Sequence, residues 1–337
     1  MASVRLQDVA DYAGVSMKTV SNVVHNYTHV SEPMRQRVQA AIETLDYRPN
    51  LLGRQLATGR SGLIDLAFID IGLPYFAELS RATSRAAMKL GYHVLLEETG
   101  GTLDGERMLF TGTNSGLVDG MIFQPSAMTS SQLAKASFTL PVVLLGEAAP
   151  PLTMDRVMID NVAAAREITE HLIALGRTKI AFVGHESRGL TETSRQRLTG
   201  YQQALEAAGL RPDPKLLIAT GSVSANTSAA AVEAALRGGM DLDAMVCRDD
   251  LAAIGALRAV QVMGRRIPDD IAVTGWDNID LTATTFPSLT TVAPDLKALT
   301  SRALQLLVER IDGYDGTGRH EVVPHMIVVR ESAPLPD

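Results

Sequence analysis

Two sets of side chains in this sequence have types and spacings that could do chemistry. In the first, Met17, Lys18, Ser21 and Asn22 share one face of a short helix that is rich in hydrogen-bonding groups and poor in apolar bulk. Such a face can read base edges in a DNA groove, lysine favouring guanine O6/N7 and asparagine favouring adenine N6/N7. The same pattern fits an ordinary helical hairpin with a solvated face. The second set lies where short apolar runs end: Asp70, Gln124, Glu147, Asp160, Asp249, Asp250, Trp276 and Asp277, with Arg197 early in a later helix. A polyol needs carboxylates that accept from vicinal hydroxyls, a fork-shaped donor and a flat apolar face, and Asp277, Arg197 and Trp276 or Phe76 supply those three. Each also has a plainer reading. An aspartate at a strand end caps a helix, a lone tryptophan packs in a core, and the arginines of SRQR (194–197) form surface ion pairs.

These groups have to be positioned by the elements around them. Leu6, Val9, Ala10 and Ala13 fall at i, i+3, i+4 and i+7 and predict one helix. Gly14 ends it, Ser16 caps the next, and Val20, Val23 and Val24 turn inward with Val15. That is the pattern of a helix-turn-helix. Ser31 is the expected cap of a third helix, with Pro33 in its first turn and Val38, Ala41, Ile42 and Leu45 closing a small core. Asn50 to Ala57 reads as a short helix, too short to be stable alone and weakened by Gly53 by roughly 1 kcal/mol relative to alanine. From Leu63 onward apolar strands alternate with amphipathic helices: 63–70, 93–98, 119–124, 142–147 and 157–160, then 179–184, 216–219, 244–247 and 271–276. This regularity predicts parallel sheets covered on both faces, in two runs too long for one sheet. The fold class is therefore a small all-α helix-turn-helix headpiece and an α/β core of two doubly wound parallel-sheet subdomains. Ligands of such sheets bind outside the C-terminal ends of the strands, which is where the second set lies.

Composition excludes several alternatives. A chain of 337 residues is long enough for more than one domain, no apolar run reaches the length of a membrane span, and no signal-peptide core opens it. One cysteine, Cys247, fits a reducing cytoplasm and leaves no thiolate cluster for zinc. The net charge is −7, yet residues 1–60 hold seven Lys/Arg against five Asp/Glu, so the headpiece carries +2 and the remainder −9. An excess of two charges is small for holding DNA, so helix N-termini, polar contacts and a second copy must contribute. Asp249-Asp250 does not read as an acid–base pair, because adjacent residues at a helix start point in different directions. With no phosphate loop, nucleophile elbow or paired histidines, no enzyme, cofactor or metal is expected.

The stretch VRLQDVADYAGVSMKTVSNVVHN (4–26) resembles the N-terminal signature of the lactose/galactose repressor (LacI/GalR) family of bacterial transcriptional regulators. PYFAEL (74–79), SRQRLTGY (194–201), CRDDLAAIGAL (247–257) and TGWDNIDLTATTFPSLTTV (274–292) resemble its core segments. The resemblance implies a headpiece at 1–49, a hinge helix and linker at 50–60, and an effector-binding and dimerisation core at 61–337, built like periplasmic sugar-binding proteins. It places the N-subdomain at about 61–160 plus 293–320 and the C-subdomain at about 161–290 plus 321–337, with crossings near Asp160–Asn161, Thr290–Val292 and His320–Glu321. The implied DNA contacts are Ser16, Met17, Lys18, Ser21, Asn22, His29, Asn50, Arg54 and Leu56, the last as a wedge in the minor groove. The resemblance implies Phe76, Arg197, Asp249 and Asp277 as effector contacts, with Asp250 capping the helix that follows, and the strand-end positions add Asp70, Gln124, Glu147 and Trp276 to the expected site, Gln124 and Glu147 standing where family members vary. The expectation is a cytoplasmic, nucleoid-associated homodimer on near-palindromic operator DNA, most simply a repressor controlled by a sugar or glycoside. A purine or other metabolite as effector stays open, as does a solute-binding protein, which the headpiece argues against.

Overall fold

Helix α1 (Leu6–Ala13) starts where the Asp8 carboxylate accepts the Arg5 N–H at 2.7 Å. It stops because Gly14 adopts φ 64°, ψ 40°, a left-handed conformation that turns the chain and lets the Val15 N–H return to Ala10 O. Ser16 then caps α2 (Met17–Val24), its hydroxyl oxygen accepting the Thr19 N–H at 3.2 Å. Helix α3 (Glu32–Thr44) closes the bundle, and Val9, Ala10, Ala13, Val20, Val23, Val38, Ala41 and Tyr47 form its core. Ser31 precedes α3, but its hydroxyl makes no capping bond. Pro33, pre-set for the helix, and the acidic Glu32 start it instead.

The computed structural model describes residues 4–24, 30–47, 59–111, 116–136, 140–147, 153–185, 191–221 and 223–335. They divide into two units at Gly62/Leu63. The segment 50–57 expected as a hinge helix, and with it His29, Asn50, Gly53, Arg54 and Leu56, lies outside the described residues.

In the second unit β1 (Leu63–Phe68), α4 (Pro74–Lys89), β2 (His93–Glu98), α5 (Leu103–Thr111), β3 (Gly120–Phe123), α6 (Ser130–Lys135), β4 (Val142–Leu145) and β5 (Asp155–Ile159) follow one another. Next come α7 (Asn161–Ala174), β6 (Ile180–His185), α8 (Glu192–Ala207), β7 (Leu217–Ala219), α9 (Ala225–Arg237), β8 (Ala244–Cys247), α10 (Asp250–Val262), β9 (Ala272–Trp276) and β10 (Thr290–Pro294). The series ends with α11 (Leu296–Ile311), β11 (His320–Val323) and β12 (His325–Val328). Two six-stranded sheets result, ordered β11-β5-β4-β3-β1-β2 and β12-β10-β9-β8-β6-β7, parallel throughout except for β12 against β10. Strands β3, β4 and β8 are buried along their whole length, as strands covered by helices on both faces must be. No helix among the described residues is long and apolar enough to cross a membrane.

The chain passes between the two lobes three times, and two of the passages are made by aspartates that also cap helices. Asp160 accepts from Ala163 N–H ahead of α7, and Asp295 from Ala298 N–H ahead of α11. The third passage is at Pro324, whose carbonyl accepts the Asp295 N–H at 3.0 Å. The second and third lie a few residues beyond the expected positions. Strand β10 keeps its ladder with β12 as far as Pro294, and β11 keeps its ladder with β5 as far as Val323, so neither can leave its sheet earlier.

One buried ion cluster fastens the end of α11 to the first sheet. Asp155 is fully buried and accepts from both Arg310 and Arg319, whose guanidinium groups lie over the Tyr314 ring. Burial opposes ionisation of Asp155, but the two guanidinium groups outweigh it and hold the carboxyl down to about 2. Because the folded value is depressed, this stabilisation is complete above the ordinary aspartate range and is lost as the pH falls from about 4 towards 2. Asp155→Asn removes the buried charge that two half-buried arginines share and is expected to cost roughly 2–4 kcal/mol in urea unfolding at neutral pH, Arg319 keeping Glu309 as a partner. A change within 0.5 kcal/mol would show that the cluster is solvated.

Candidate functional site

Between the C-terminal ends of the two sheets lies a cavity of about 310 Å³. Its first-lobe wall is built by the start of α4 (Tyr75 and Phe76), by Gln124 after β3 and by Glu147 after β4. The wall opposite comes from Thr193 and Arg197 of α8, Arg248 and Asp249 after β8, and Asp277 after β9. Phe76 is held by stacking on Phe68, ring centroids 5.2 Å apart and nearly parallel, with Tyr75 edge-on to it. The loop at 125–128 is ordered by the buried Glu106, whose carboxylate accepts N–H bonds from Ser126, Ala127 and Met128.

Arg197 joins most of these pieces. Its Nε–H donates to Asn161 Oδ1 at 2.8 Å, its Nη1 to the Arg248 carbonyl, and its guanidinium lies 3.9 Å over the Trp276 ring. Asn161 in turn donates to Glu147 Oε1, and the Thr193 hydroxyl donates to Glu147 Oε2, so one carboxylate of the first lobe is tied to α8 of the second. Burial draws the Arg197 guanidinium down from its ordinary range, while Asp277, Glu147 and Asp249 draw it back up.

Asp277 has the opposite character. Its backbone is held at φ 106°, a strained conformation for a residue with a side chain, with its N–H donating to Val292 O. No hydrogen bond reaches its carboxylate within the described residues. Burial, with Asp250 and Asp249 nearby, raises it well above the usual carboxylate range against the pull of Arg197. An arginine fork beside a carboxylate that lacks a donor is a site that asks for hydroxyl or N–H groups from a ligand.

Two of the sequence candidates are elsewhere. Asp70 stays out of the cavity, its Oδ1 accepting the Gly72 N–H at 2.7 Å in the turn after β1. Trp276 is 1% exposed and covered by Arg197, so it presents no face to a ligand and serves as the floor on which the arginine rests. Of the adjacent aspartates, Asp249 lines the cavity as expected, but the capping role expected of Asp250 also falls to it. It accepts from Ala252 N–H at 2.8 Å, while its other oxygen takes Arg248 Nε–H at 3.0 Å. Asp250 instead accepts from the Thr291 hydroxyl and the Ile279 N–H, tying α10 to the turn that carries Asp277. Burial pushes Asp250 up to about 7 despite those two bonds. The cap falls to Asp249 because the capping residue has extended backbone, and Asp250 is already the first residue of the helix. Tyr75, Thr193, Asn161 and Arg248 were not anticipated. Only Arg248, beside Asp249 at a strand end, carried any signal in the sequence.

On the headpiece, Met17 and Lys18 are exposed and Ser21 and Asn22 half-exposed along α2, with the Ser16 hydroxyl engaged in the cap. Among the described residues no group of His, Cys, Asp or Glu side chains is placed to hold a metal ion.

Strand β9 has no room for a side chain at Gly275, just before the turn that carries Asp277, because a Cβ there would lie 2.2 Å from Asp250 Oδ1. Gly275→Ala is therefore expected to lower stability by roughly 1–3 kcal/mol in chemical unfolding. An unchanged midpoint would mean that Asp250 does not hold this turn.

The comparisons with known proteins cover both units. Residues 5–50 match the model of bacterial regulatory proteins of the lacI family, and residues 169–333 that of the periplasmic binding protein-like domain. The HTH-type transcriptional regulator DegA of Bacillus subtilis (strain 168) is 31% identical over 342 residues, 97% of this chain and 97% of DegA. Among solved structures, the lac repressor dimer bound to operator and the anti-inducer ONPF is similar with a TM-score of 0.82 at 27% identity, covering 99% of this chain and 100% of the repressor chain. The transcriptional regulator CelR–cellobiose complex is similar with a TM-score of 0.72 at 27% identity, covering 98% of this chain and 99% of CelR. A helix-turn-helix headpiece joined to a two-lobed core thus has a settled place: the chain belongs to the lacI family of bacterial regulatory proteins, DNA-binding transcriptional repressors and not enzymes.

Proposed function

We propose that this repressor acts as a cytoplasmic homodimer on a near-palindromic operator and that an uncharged sugar or glycoside, bound between the lobes, sets its affinity for that DNA. The observation that carries the reading is the Arg197–Asp277 pair, a donor fork beside a carboxylate that takes no hydrogen bond, opening on a cavity whose other walls combine the apolar surface of Phe76, Tyr75 and aliphatic side chains with the polar groups of Gln124, Glu147, Thr193 and Asp249. Vicinal hydroxyls satisfy both groups at once, and the C–H face of a sugar ring suits the apolar wall. The cavity volume matches a small saccharide, and CelR, similar along nearly its whole length, is a complex with cellobiose.

On the DNA side, α2 enters the major groove with Lys18 and Asn22 towards base edges, while Met17, Ser16 and Ser21 pack and bond around them. Segment 50–57, with Asn50, Arg54 and Leu56, folds as a hinge helix only when two copies meet on the operator, and His29 adds to the DNA contacts. Ordering that weak helix is the step a change in the core can oppose, since its cost is the part of the binding free energy that depends on how the two copies are held.

Lys18→Ala and Asn22→Ala are each expected to weaken operator binding by about 1–3 kcal/mol while changing random-sequence binding much less. Equal losses on both DNAs in a mobility-shift titration would remove these residues from base recognition. For the effector, a thermal-shift panel of sugars, sugar phosphates and nucleobases should give a stabilising neutral saccharide that also alters operator affinity. Arg197→Ala and Asp277→Ala are expected to abolish that response and keep operator binding. A panel in which only nucleobases or phosphorylated sugars stabilise the protein would overturn the sugar assignment.

A further inference from the structure

Asp65 lies inside β1, 1% exposed, and no hydrogen-bond donor reaches either of its carboxyl oxygens. An ionised carboxylate in that setting is costly. The polar group beside it is a second carboxyl, that of Glu97 on β2. The parallel register sets Asp65 level with Leu95 and Ala67 level with Glu97, so Asp65, Ala67 and Glu97 share one face of the sheet. Ala67 packs there with residues of β3, α5 and α6. The charged groups of those neighbouring elements have other engagements or lie at the strand starts. Glu106 of α5 is saturated by the N–H groups of residues 126–128, and Arg107 pairs with Asp104 at 3.6 Å. Lys135 closes α6, while His93 begins β2 and Asp119 precedes β3. Two adjacent carboxyl groups can hydrogen-bond to each other only if one of them keeps its proton.

We propose that Asp65 and Glu97 share a single proton, and that its loss in alkaline medium loosens β2 from β1, making the pair a pH-operated switch at the edge of the first sheet. Burial first, then the neighbouring Glu97 carboxyl, pushes Asp65 up to about 8. Strand β2 ends the sheet order and is held by β1 alone, so repulsion between two charges is relieved by moving an edge strand and not a core one. The displacement reaches the ligand cavity through Glu98, the next residue of β2. Its carboxylate accepts the Ile71 N–H at 2.6 Å in the loop that leads into α4, Tyr75 and Phe76.

The sign follows from the raised value. The folded chain holds the proton more tightly than the unfolded one, so stability falls as the pH rises from about 4 to about 8, and the loss is complete above that range. Within the window the pair makes the unfolding constant rise about tenfold per pH unit. The test is unfolding of the full chain across this range for wild type, Asp65→Asn and Glu97→Gln. Each amide donates an N–H to the remaining carboxylate, so Asp65→Asn should lack this part of the pH slope and Glu97→Gln, in which Asp65 stays buried, should show it clearly reduced. If one does not fold, the other gives the same comparison. Infrared difference spectra should show a protonated-carboxyl band in the wild type at pH 7 that the variants have lost. Hydrogen exchange of residues 93–98, corrected for its intrinsic pH dependence, should accelerate between pH 7 and 9 in the wild type alone. A wild-type slope retained in the variants, a carboxyl band unaffected by both substitutions, or equal protection of 93–98 at the two pH values would overturn the proposal.

Discussion

The site depends on keeping one guanidinium charged in a place with little water. Arg197 is surrounded on every side: the Trp276 ring below, the Asn161 amide oxygen and Arg248 carbonyl at its edges, and Asp277, Glu147 and Asp249 within its field. A buried cation without such company would cost several kcal/mol, and removing one partner leaves the others mismatched. The residues that accompany it come from β9, from the first passage between lobes, from the loop after β4 and from the end of β8. Satisfying this one side chain therefore fixes the relative placement of four segments far apart in sequence. It also explains why Trp276, the only tryptophan of the chain, lies under the arginine and not in the cavity.

A second constraint acts at the joint between β8, α10 and β9. Asp249 and Asp250 are adjacent but diverge, one to the N-terminus of α10 and the other to the backbone and hydroxyl groups of residues 279 and 291. The carboxylate of Asp250 fills the space above Gly275, and the chain that leaves β9 there is forced through positive φ at Asp277 and Asn278. The strained residue is the one whose carboxylate lacks a donor. Backbone strain and an open carboxylate coincide where a ligand would repay both.

Much of this was legible in the sequence because it rests on local rules. Gly14 and Ser16 mark the turn by conformational freedom and capping chemistry, and the alternation of apolar strands with amphipathic helices specifies two parallel sheets whose C-terminal ends gather Phe76, Gln124, Glu147, Arg197, Asp249 and Asp277. What escaped depends on partners distant in the chain. Asp70 looks like Asp277 in its strand-end position, yet a glycine two residues on offers it a local N–H. Which of Asp249 and Asp250 caps α10 turns on one residue of helix register. The passages at Asp295 and Pro324 depend on the ladders of β10 with β12 and of β11 with the much more distant β5, and the carboxyl pair of Asp65 and Glu97 on the register of β1 against β2. No periodicity in one segment contains that information.

The contacts that cross the cleft suggest how easily the lobes can be redistributed. On one side Glu147 meets Thr193, and on the other the Glu78 carboxylate accepts the Asp280 N–H at 2.9 Å while Arg81 stands 3.8 Å from the Asp280 carboxylate. The ion pair is largely exposed, 59% and 85% for its two side chains, and pairs of that kind contribute between nothing and about 1 kcal/mol. A hydrogen bond at a solvated rim adds a similar amount. These exposed contacts thus favour closure by a margin of the same order as a single ligand contact, since about 1.4 kcal/mol of differential affinity changes a two-state ratio tenfold. A ligand that engages Arg197 and Asp277 from the second lobe while touching Phe76 or Gln124 of the first needs no strong grip on either lobe to bias their arrangement. It needs only to prefer one closure over the other, and groups on both walls of the cavity provide the means.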